Sequence, residues 1–471
     1  MSTTTSERPF FSINQPAMAN KYKILFSLVQ IILWTLNVAV PTTGALRSLG
    51  QKNTKQAQDA SLRCRVVFVD TSYEGDVTDE EQVSCVPILE DDSESDDIWD
   101  LTLPNDVTEN NHQALELGTL EVFITGATVV NEAVIMAAIS VVTVTSSHRR
   151  KLVVEDVSGT KTVLVIRVST VDAEPSASLQ DLETTLFDSN RINMSTQYEK
   201  CSAGKLQLTL SATGVIDVRV NGRIADYDAP SPLVTAARKK LEEMLAVEKV
   251  SSLADKTMFC LPAGTGNWVA SAGVGTWRSQ FNNEWCLSLT ATMHELGHTF
   301  GLRHSNESTE YDDRTGIMSY GHKSAVWPQK CFNGHKHWLL KWFEDRAITV
   351  NPVAGTALVE LAAFVHYDKT SESHAVVVNV GDYYLQYNRA KAFNVGTEEM
   401  ADLVSGPFAS GSWGAHSIEN ARVCLPFSVS FLFHHRSRSP KVKRLLRHCV
   451  QGWGSDPTHL STSGIEPVDP W

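Results

Sequence analysis

A glycine-rich phosphate loop, a serine elbow and a Cys–His nucleophile pair are all missing from the 471 residues, and no internal repeat is evident. These absences set aside phosphate-loop chemistry, serine or cysteine acyl transfer and solenoid architectures. Basic charge is also short: 41 Lys and Arg face 54 Asp and Glu, and the net charge of −13 argues against a nucleic-acid partner. With 42% hydrophobic residues, the chain still has enough apolar material for two or three units, each with its own core.

What is present is the run His294-Glu295-Leu296-Gly297-His298-Thr299-Phe300-Gly301-Leu302-Arg303-His304. On a helix, His294 and His298 lie one above the other on a single face, where two imidazole nitrogens can take adjacent corners of a Zn²⁺ tetrahedron. Glu295 points about 100° away around the helix. It is therefore held off the metal, yet close enough to act as general base toward a water that the ion acidifies. Gly301 can adopt the left-handed conformation that ends a helix, turning the chain back so that His304 becomes the third ligand. The fourth corner remains for water. The zinc ligands read from the sequence are thus His294, His298 and His304, with Glu295 catalytic; nothing indicates calcium.

Thr315-Gly316-Ile317-Met318-Ser319-Tyr320-Gly321 follows after a short polar loop. Met318 sits where metzincins carry the methionine turn beneath the zinc, and Tyr320 matches the position of a tyrosine that contacts the metal or the tetrahedral intermediate in some of them. Three flanking stretches extend the likeness: Ser195-Thr196-Gln197-Tyr198-Glu199-Lys200-Cys201-Ser202-Ala203-Gly204-Lys205-Leu206, Cys331-Phe332-Asn333-Gly334 through Trp342, and Tyr387-Asn388-Arg389 through Phe393-Asn394. Together with the zinc run they resemble the gametolysin family of algal metallopeptidases, from about residue 155 to about residue 405. The resemblance implies an α/β (α+β) metzincin-like catalytic domain with a twisted mixed sheet and a zinc-binding helix. It also implies a secreted endopeptidase acting on an extracellular-matrix or cell-wall glycoprotein, without identifying that substrate. If the metzincin layout holds, His322, Lys323, Val326 and Trp327 shape the pocket after the scissile bond, whereas His322, His335 and His337 are surface or packing residues rather than ligands. The alternative is a non-catalytic cell-surface or matrix-binding glycoprotein that keeps the fold. Glu295 argues against it, since a structural zinc site needs no base.

The rest of the chain fits an exported precursor. Lys21-Tyr22-Lys23, an apolar run from Ile24 to Val40 and the small residues Thr43-Gly44-Ala45 read as a signal peptide over 1–45, with Met18 an alternative start. An uncleaved membrane anchor through residues 24–40 is the other option. Residues 46–151 are acidic, include the block Glu90-Asp91-Asp92-Ser93-Glu94-Ser95-Asp96-Asp97, and end at Arg149-Arg150-Lys151, where a processing protease could cut. They read as a propeptide with short β-like runs at Val66 to Val69 and Glu121 to Thr125.

Residues 152–355 form the expected catalytic domain. Strands are predicted over Thr162 to Ser169, Lys205 to Ser211, Val215 to Val220 and Thr257 to Leu261, with a helix over Ser178 to Phe187. A second helix opens at Ser231-Pro232, its buried face carrying Leu233, Ala237, Leu241 and Met244. The stretch Trp268 to Trp277 is either an edge strand able to pair with an extended substrate or a flexible loop. Residues 356–424 read as a small antiparallel β unit, and 425–471 as a basic tail of undetermined role.

Eight cysteines divide into Cys64 and Cys85 before the basic cluster and six after it: Cys201, Cys260, Cys286, Cys331, Cys424 and Cys449. That split suits disulfides within each part of a secreted chain, although Cys64 could instead be an inhibitory thiolate on the zinc. Sequons at Asn193-Met194-Ser195 and Asn306-Glu307-Ser308 fit a secreted glycoprotein. Oligomeric state is not legible.

Overall fold

In strand β6 (Gly159–Ser169), Val163, Leu164, Val165 and Ile166 are all fully buried, as a parallel strand covered on both faces requires. Their side chains alternate between two cores: Val163 and Val165 face one cluster, Leu164 and Ile166 the other. The computed structural model describes residues 61–73, 80–111, 114–115, 118–130, 132–146, 157–305, 313–319, 329–351, 357–381, 383–406 and 429–433, all in the unit Gln58–Trp471. The leader, the Arg149-Arg150-Lys151 cluster, the Asn306 sequon, Tyr320, His322, Lys323, Val326, Trp327, Cys424, Cys449 and the basic tail lie outside the described residues.

The architecture is mixed α/β with one large mixed sheet. β6 pairs in parallel with β7 (Leu206–Arg219) and with β8 (Lys256–Leu261), and β8 in parallel with β10 (Arg278–Asn282). β9 (Trp268–Gly273) runs antiparallel to β10. The two strands predicted at Lys205 to Ser211 and Val215 to Val220 are one: the β6–β7 register jumps from Val163↔Leu210 to Val165↔Val215, so a bulge absorbs the intervening residues without ending the strand.

Helices α2 (Leu179–Phe187) and α3 (Met194–Cys201) cover one face, each opened by a reciprocal cap, Ser178 with Asp181 and Asn193 with Thr196. Helix α4 (Pro230–Leu245) covers the other face. It starts two residues earlier than predicted, with Ala229 at the cap position, Pro230 in the first turn and no side-chain cap, so Ser231 is not the capping hydroxyl. Its buried stripe is Leu233, Val234, Ala237, Arg238 and Leu241, whereas Met244 is 49% exposed in the last turn.

The acidic N-terminal region is a folded body. β1 (Ser61–Tyr73), β2 (Glu80–Pro87), β3 (Trp99–Leu101), β4 (Leu120–Val130) and β5 (Ala133–Ser146) pair in the cycle β1-β2-β3-β5-β4-β1, with helix α1 (Asn105–Asn110) between β3 and β4. A closed ring of five strands is a small barrel of the OB type. Val66, Leu101, Leu120, Val122 and Ile124 fill it, and a disulfide between Cys64 and Cys85 ties β1 to β2. The acidic block is not free in solvent. Arg65 grips Glu94 through two hydrogen bonds of 2.7 and 2.8 Å, Arg238 of α4 pairs with Asp97, and Asp96, 3% exposed, accepts from the Ser251 amide at 3.0 Å.

Toward the C-terminus, β11 (Ala347–Thr349), β13 (Val377–Val380), β14 (Tyr383–Asn388) and β15 (Leu403–Ser405) form a four-stranded sheet, and β12 (Ala357–Leu361) pairs in parallel with β16 (Val429–Phe433). β11–β13 is parallel and β13–β14 antiparallel, so the arrangement is mixed rather than purely antiparallel. Val376, Val377, Val378 and Leu385 belong to the same core as Tyr198 and Met318.

His337 lies in this shared core, its ring against Phe332, Trp342, Phe343 and Phe364, and its Nδ1 accepts from Gln386 Nε2 at 2.9 Å. Burial depresses it from 6.5 to about 3. Below pH 6.5 the unfolded chain therefore takes up a proton that the folded chain refuses, and stability present above that pH is lost as the pH falls toward 3. His337→Gln keeps the acceptor and removes the titration. Its melting temperature should fall less between pH 7 and pH 4.5 than that of the wild type, and thermal unfolding at the two pH values checks this.

Candidate metal centre

Helix α5 (Leu289–Thr299) carries the first two histidines and is buried along its whole length. Ser288 caps its start by accepting from the Ala291 amide, and the disulfide Cys260–Cys286 fixes the preceding turn to β8. At the other end Gly301 has φ +90°, its amide donates to His298 O at 2.8 Å, and the Leu302 amide donates to Gly297 O at 3.0 Å. This paired closure reverses the chain toward His304. Lys256 Nζ donates to Thr299 O at 2.9 Å, placing a cation at the negative end of the helix.

The ring geometry decides what the site can hold. His294 Nδ1 lies 3.0 Å from Ile317 O, and His298 Nδ1 lies 2.8 Å from Leu302 O. A carbonyl only accepts, so both Nδ1 atoms carry the proton and both Nε2 atoms present lone pairs. Those two Nε2 atoms face each other at 3.0 Å. His304 Nε2 completes the group together with Asp70 Oδ2, which lies 3.3 Å from it and 3.6 Å from His298 Nε2. All four ligand atoms are within 4.8 Å of one another and all four residues are buried.

A tetrahedral site with bonds of about 2.0–2.1 Å has edges of about 3.3–3.4 Å, close to the 3.0, 3.3 and 3.6 Å separations seen here. Burial lowers His298 below the ordinary imidazole value despite the opposing pull of Asp70, which keeps the ring neutral as a ligand must be. Burial works against ionisation of Asp70, yet His304 and His298 hold its carboxyl well below the usual range. Three imidazoles and one ionised carboxylate are a donor set for a divalent metal ion.

Behind this group, Met318 is fully buried and its sulfur packs on Gly297 so closely that an added Cβ would meet it at 2.5 Å. Met318 O accepts from the Ser305 amide at 2.8 Å, and Ile317 N donates to Cys331 O at 2.7 Å. Cys331 is in turn bonded to Cys201 of α3. Asn333 Nδ2 reaches both Ser305 Oγ and Asp313 Oδ2, at 3.0 and 2.6 Å. Glu295 is fully buried on α5, and its charge adds to the burial that keeps the Tyr198 phenol protonated. That phenol donates to Met293 O at 2.8 Å.

The structure therefore brings together His294, His298 and His304, with Met318 beneath them and Glu295 on the same helix. Asp70 was not legible: it follows the β-like run Val66 to Val69 and reaches the site from more than 200 residues away. Cys64 is a disulfide partner of Cys85, not a free thiolate at the metal. Asn193 is 2% exposed and its carboxamide caps α3, so the folded chain has no room for a glycan there. His335 and His337 stand apart from the metal group, His335 tilted against Tyr384 and His337 edge-to-face with Phe332, Phe343 and Phe364.

A buried donor set of this kind could hold a metal ion. Residues 161–373 match the family model described as gametolysin peptidase M11. Through this stretch the chain is similar to the gametolysin family of metallopeptidases. No curated protein matches the chain at a significant level.

The Gly297–Met318 contact yields a direct prediction. Gly297→Ala should cost about 1–3 kcal/mol, the usual penalty for overpacking, and should loosen metal retention because the displaced Met318 adjoins Ile317, whose carbonyl holds the His294 ring. Thermal unfolding and metal content after dialysis are the measurements; unchanged values in both would show that the contact is not a constraint.

Proposed function

We propose that this protein is a secreted zinc-dependent endopeptidase of the metzincin type, in which His294, His298 and His304 hold the ion and Glu295 is the general base. The observation that carries the reading is the convergence of three imidazoles from a buried His-Glu-x-x-His helix and its return loop in a chain similar to a peptidase family. When bound, zinc supplies Lewis acidity toward a peptide carbonyl and a water.

Glu295 then removes the water's proton and returns it to the leaving amine, so that the amine departs neutral. Ile317 O and Leu302 O hold the tautomers of His294 and His298, keeping both Nε2 atoms directed at one point. β9 lies between β10 and β1, so the edge strand expected at Trp268 to Trp277 is covered in the intact chain, and release of the N-terminal residues would free its backbone for an extended peptide. Tyr320, two residues after Met318, is assigned to stabilising the oxyanion. The substrate class is an extracellular-matrix or cell-wall glycoprotein. Secretion is supported by three disulfides, which persist in oxidising compartments. Residues 46–151 serve as the propeptide, released after Arg149-Arg150-Lys151.

Glu295→Ala in the processed protein should retain one zinc per chain while turnover of a peptide library falls by about 10²–10⁴-fold, the range for loss of a general base. Metal analysis beside the rate assay checks both. Wild-type turnover by the zinc-loaded variant would sink the assigned mechanism. His304→Ala should instead lose metal and activity together; stoichiometric zinc at unchanged affinity would mean that another residue completes the site.

A further inference from the structure

The barrel does not merely sit beside the catalytic sheet; β1 continues it. Val69, Asp70, Thr71, Ser72 and Tyr73 pair antiparallel with β9, in register Val69↔Gly273, Asp70↔Ala272 and Thr71↔Ser271. That is the edge which an incoming peptide strand would need. In the same strand Asp70 turns its carboxylate into the group formed by His294, His298 and His304. Asp70, His294, Glu295 and His298 are each at most 1% exposed, so no peptide reaches the centre while β1 is in place.

We propose that Asp70 is the fourth metal ligand of the intact chain and that β1 occupies the substrate groove, so that the N-terminal barrel is a built-in inhibitor whose removal opens both the metal and the edge of β9. The inference rests on the peptidase reading above for its consequence, but not for the ligand itself. The chemistry is that of an ionised carboxylate at the corner where water must otherwise bind, and a backbone strand where substrate must otherwise lie.

The contacts around the strand are those of a docked surface. Arg303, in the return loop that carries His304, places its guanidinium 3.9 Å from the centre of the Phe68 ring, and its Nη2 reaches both carboxylate oxygens of Glu81 at 2.5 and 2.6 Å. Val274 N donates to Phe68 O at 2.8 Å, Arg65 Nη2 donates to Gly275 O at 3.2 Å, and Thr71 Oγ1 bonds Ser271 Oγ at 3.1 Å. Further along, Lys249 Nζ donates to Ser93 Oγ and Glu94 O, both at 2.9 Å. The acidic loop thereby clamps the barrel to the side of the sheet away from the metal helix. The Cys64–Cys85 bond holds β1 against β2, which keeps Asp70 in register with the histidines without a cysteine at the metal.

The test uses the intact chain with Co²⁺ in place of zinc, followed by visible absorption with and without azide. In the wild type, Asp70 fills the fourth position and azide should leave the spectrum unchanged. In Asp70→Ala the spectrum should differ before azide and shift on its addition, and a chelator should extract the metal on the order of 10–100-fold faster. Asp70→Asn, which keeps the side-chain shape, should show the same direction, with circular dichroism confirming the fold. Identical spectra in wild type and both variants would overturn the assignment, as would an azide-sensitive spectrum in the intact wild type whatever the variants do. The cobalt readout needs no turnover. A protein inert toward every peptide but with an Asp70-dependent spectrum loses the peptidase reading and keeps the ligand, and the reverse pattern separates the two the other way.

Discussion

Two ring nitrogens with lone pairs facing each other at 3.0 Å in a buried pocket repel unless something positive stands between them. The carbonyls of Ile317 and Leu302 leave them no other tautomer, because each already accepts the Nδ1 proton. With the third imidazole and a carboxylate added, four buried donor atoms within 4.8 Å of one another converge as a site for one cation. The rest of the fold is arranged so that this point does not move: Lys256 and the Gly301 closure finish the helix, Ser288 starts it, and Met318 fills the space that Gly297 leaves.

Segments far apart in the chain meet behind the metal group. Tyr198 bonds Met293 O inside α5, Gln197 Nε2 donates to Phe393 O at 2.6 Å, and Asn394 Oδ1 accepts from Cys331 N at 3.0 Å. The Cys201–Cys331 bond lies in the same knot. Apart from Met293, these residues come from the three flanking stretches singled out in the sequence, two of which fall inside the matched residues 161–373. They surround the Ile317–Met318 segment, whose Ile317 carbonyl sets the tautomer of His294.

Local features were legible in the sequence where one short segment determines them. The spacing of His294 and His298, the turn at Gly301 and the buried strand around Val163 to Ile166 depend on residues a few positions apart. Long-range pairing left no such mark. Nothing near Asp70 announces β9 as its neighbour, and a barrel closed by the pairing of β1 with β4 cannot be read from alternating runs that would suit any sheet. The acidic block gives no sign of its partners because Arg65, Arg238 and Lys249 are distributed over two parts of the chain. Smaller departures have local causes. Met244 sits exposed in the last turn of α4 rather than on its buried face, and a bulge lets β7 run through a segment that reads as two strands.

The central claim is that three imidazoles and Asp70 surround one metal ion in the intact chain. Anomalous diffraction at the zinc absorption edge, from crystals of the intact zinc-loaded protein, tests it most directly. The account predicts a single peak about 2.0–2.2 Å from the Nε2 atoms of His294, His298 and His304 and from Asp70 Oδ2. A peak bound by the histidines with Asp70 withdrawn and a water in its place, or no peak between the three rings at all, would contradict it.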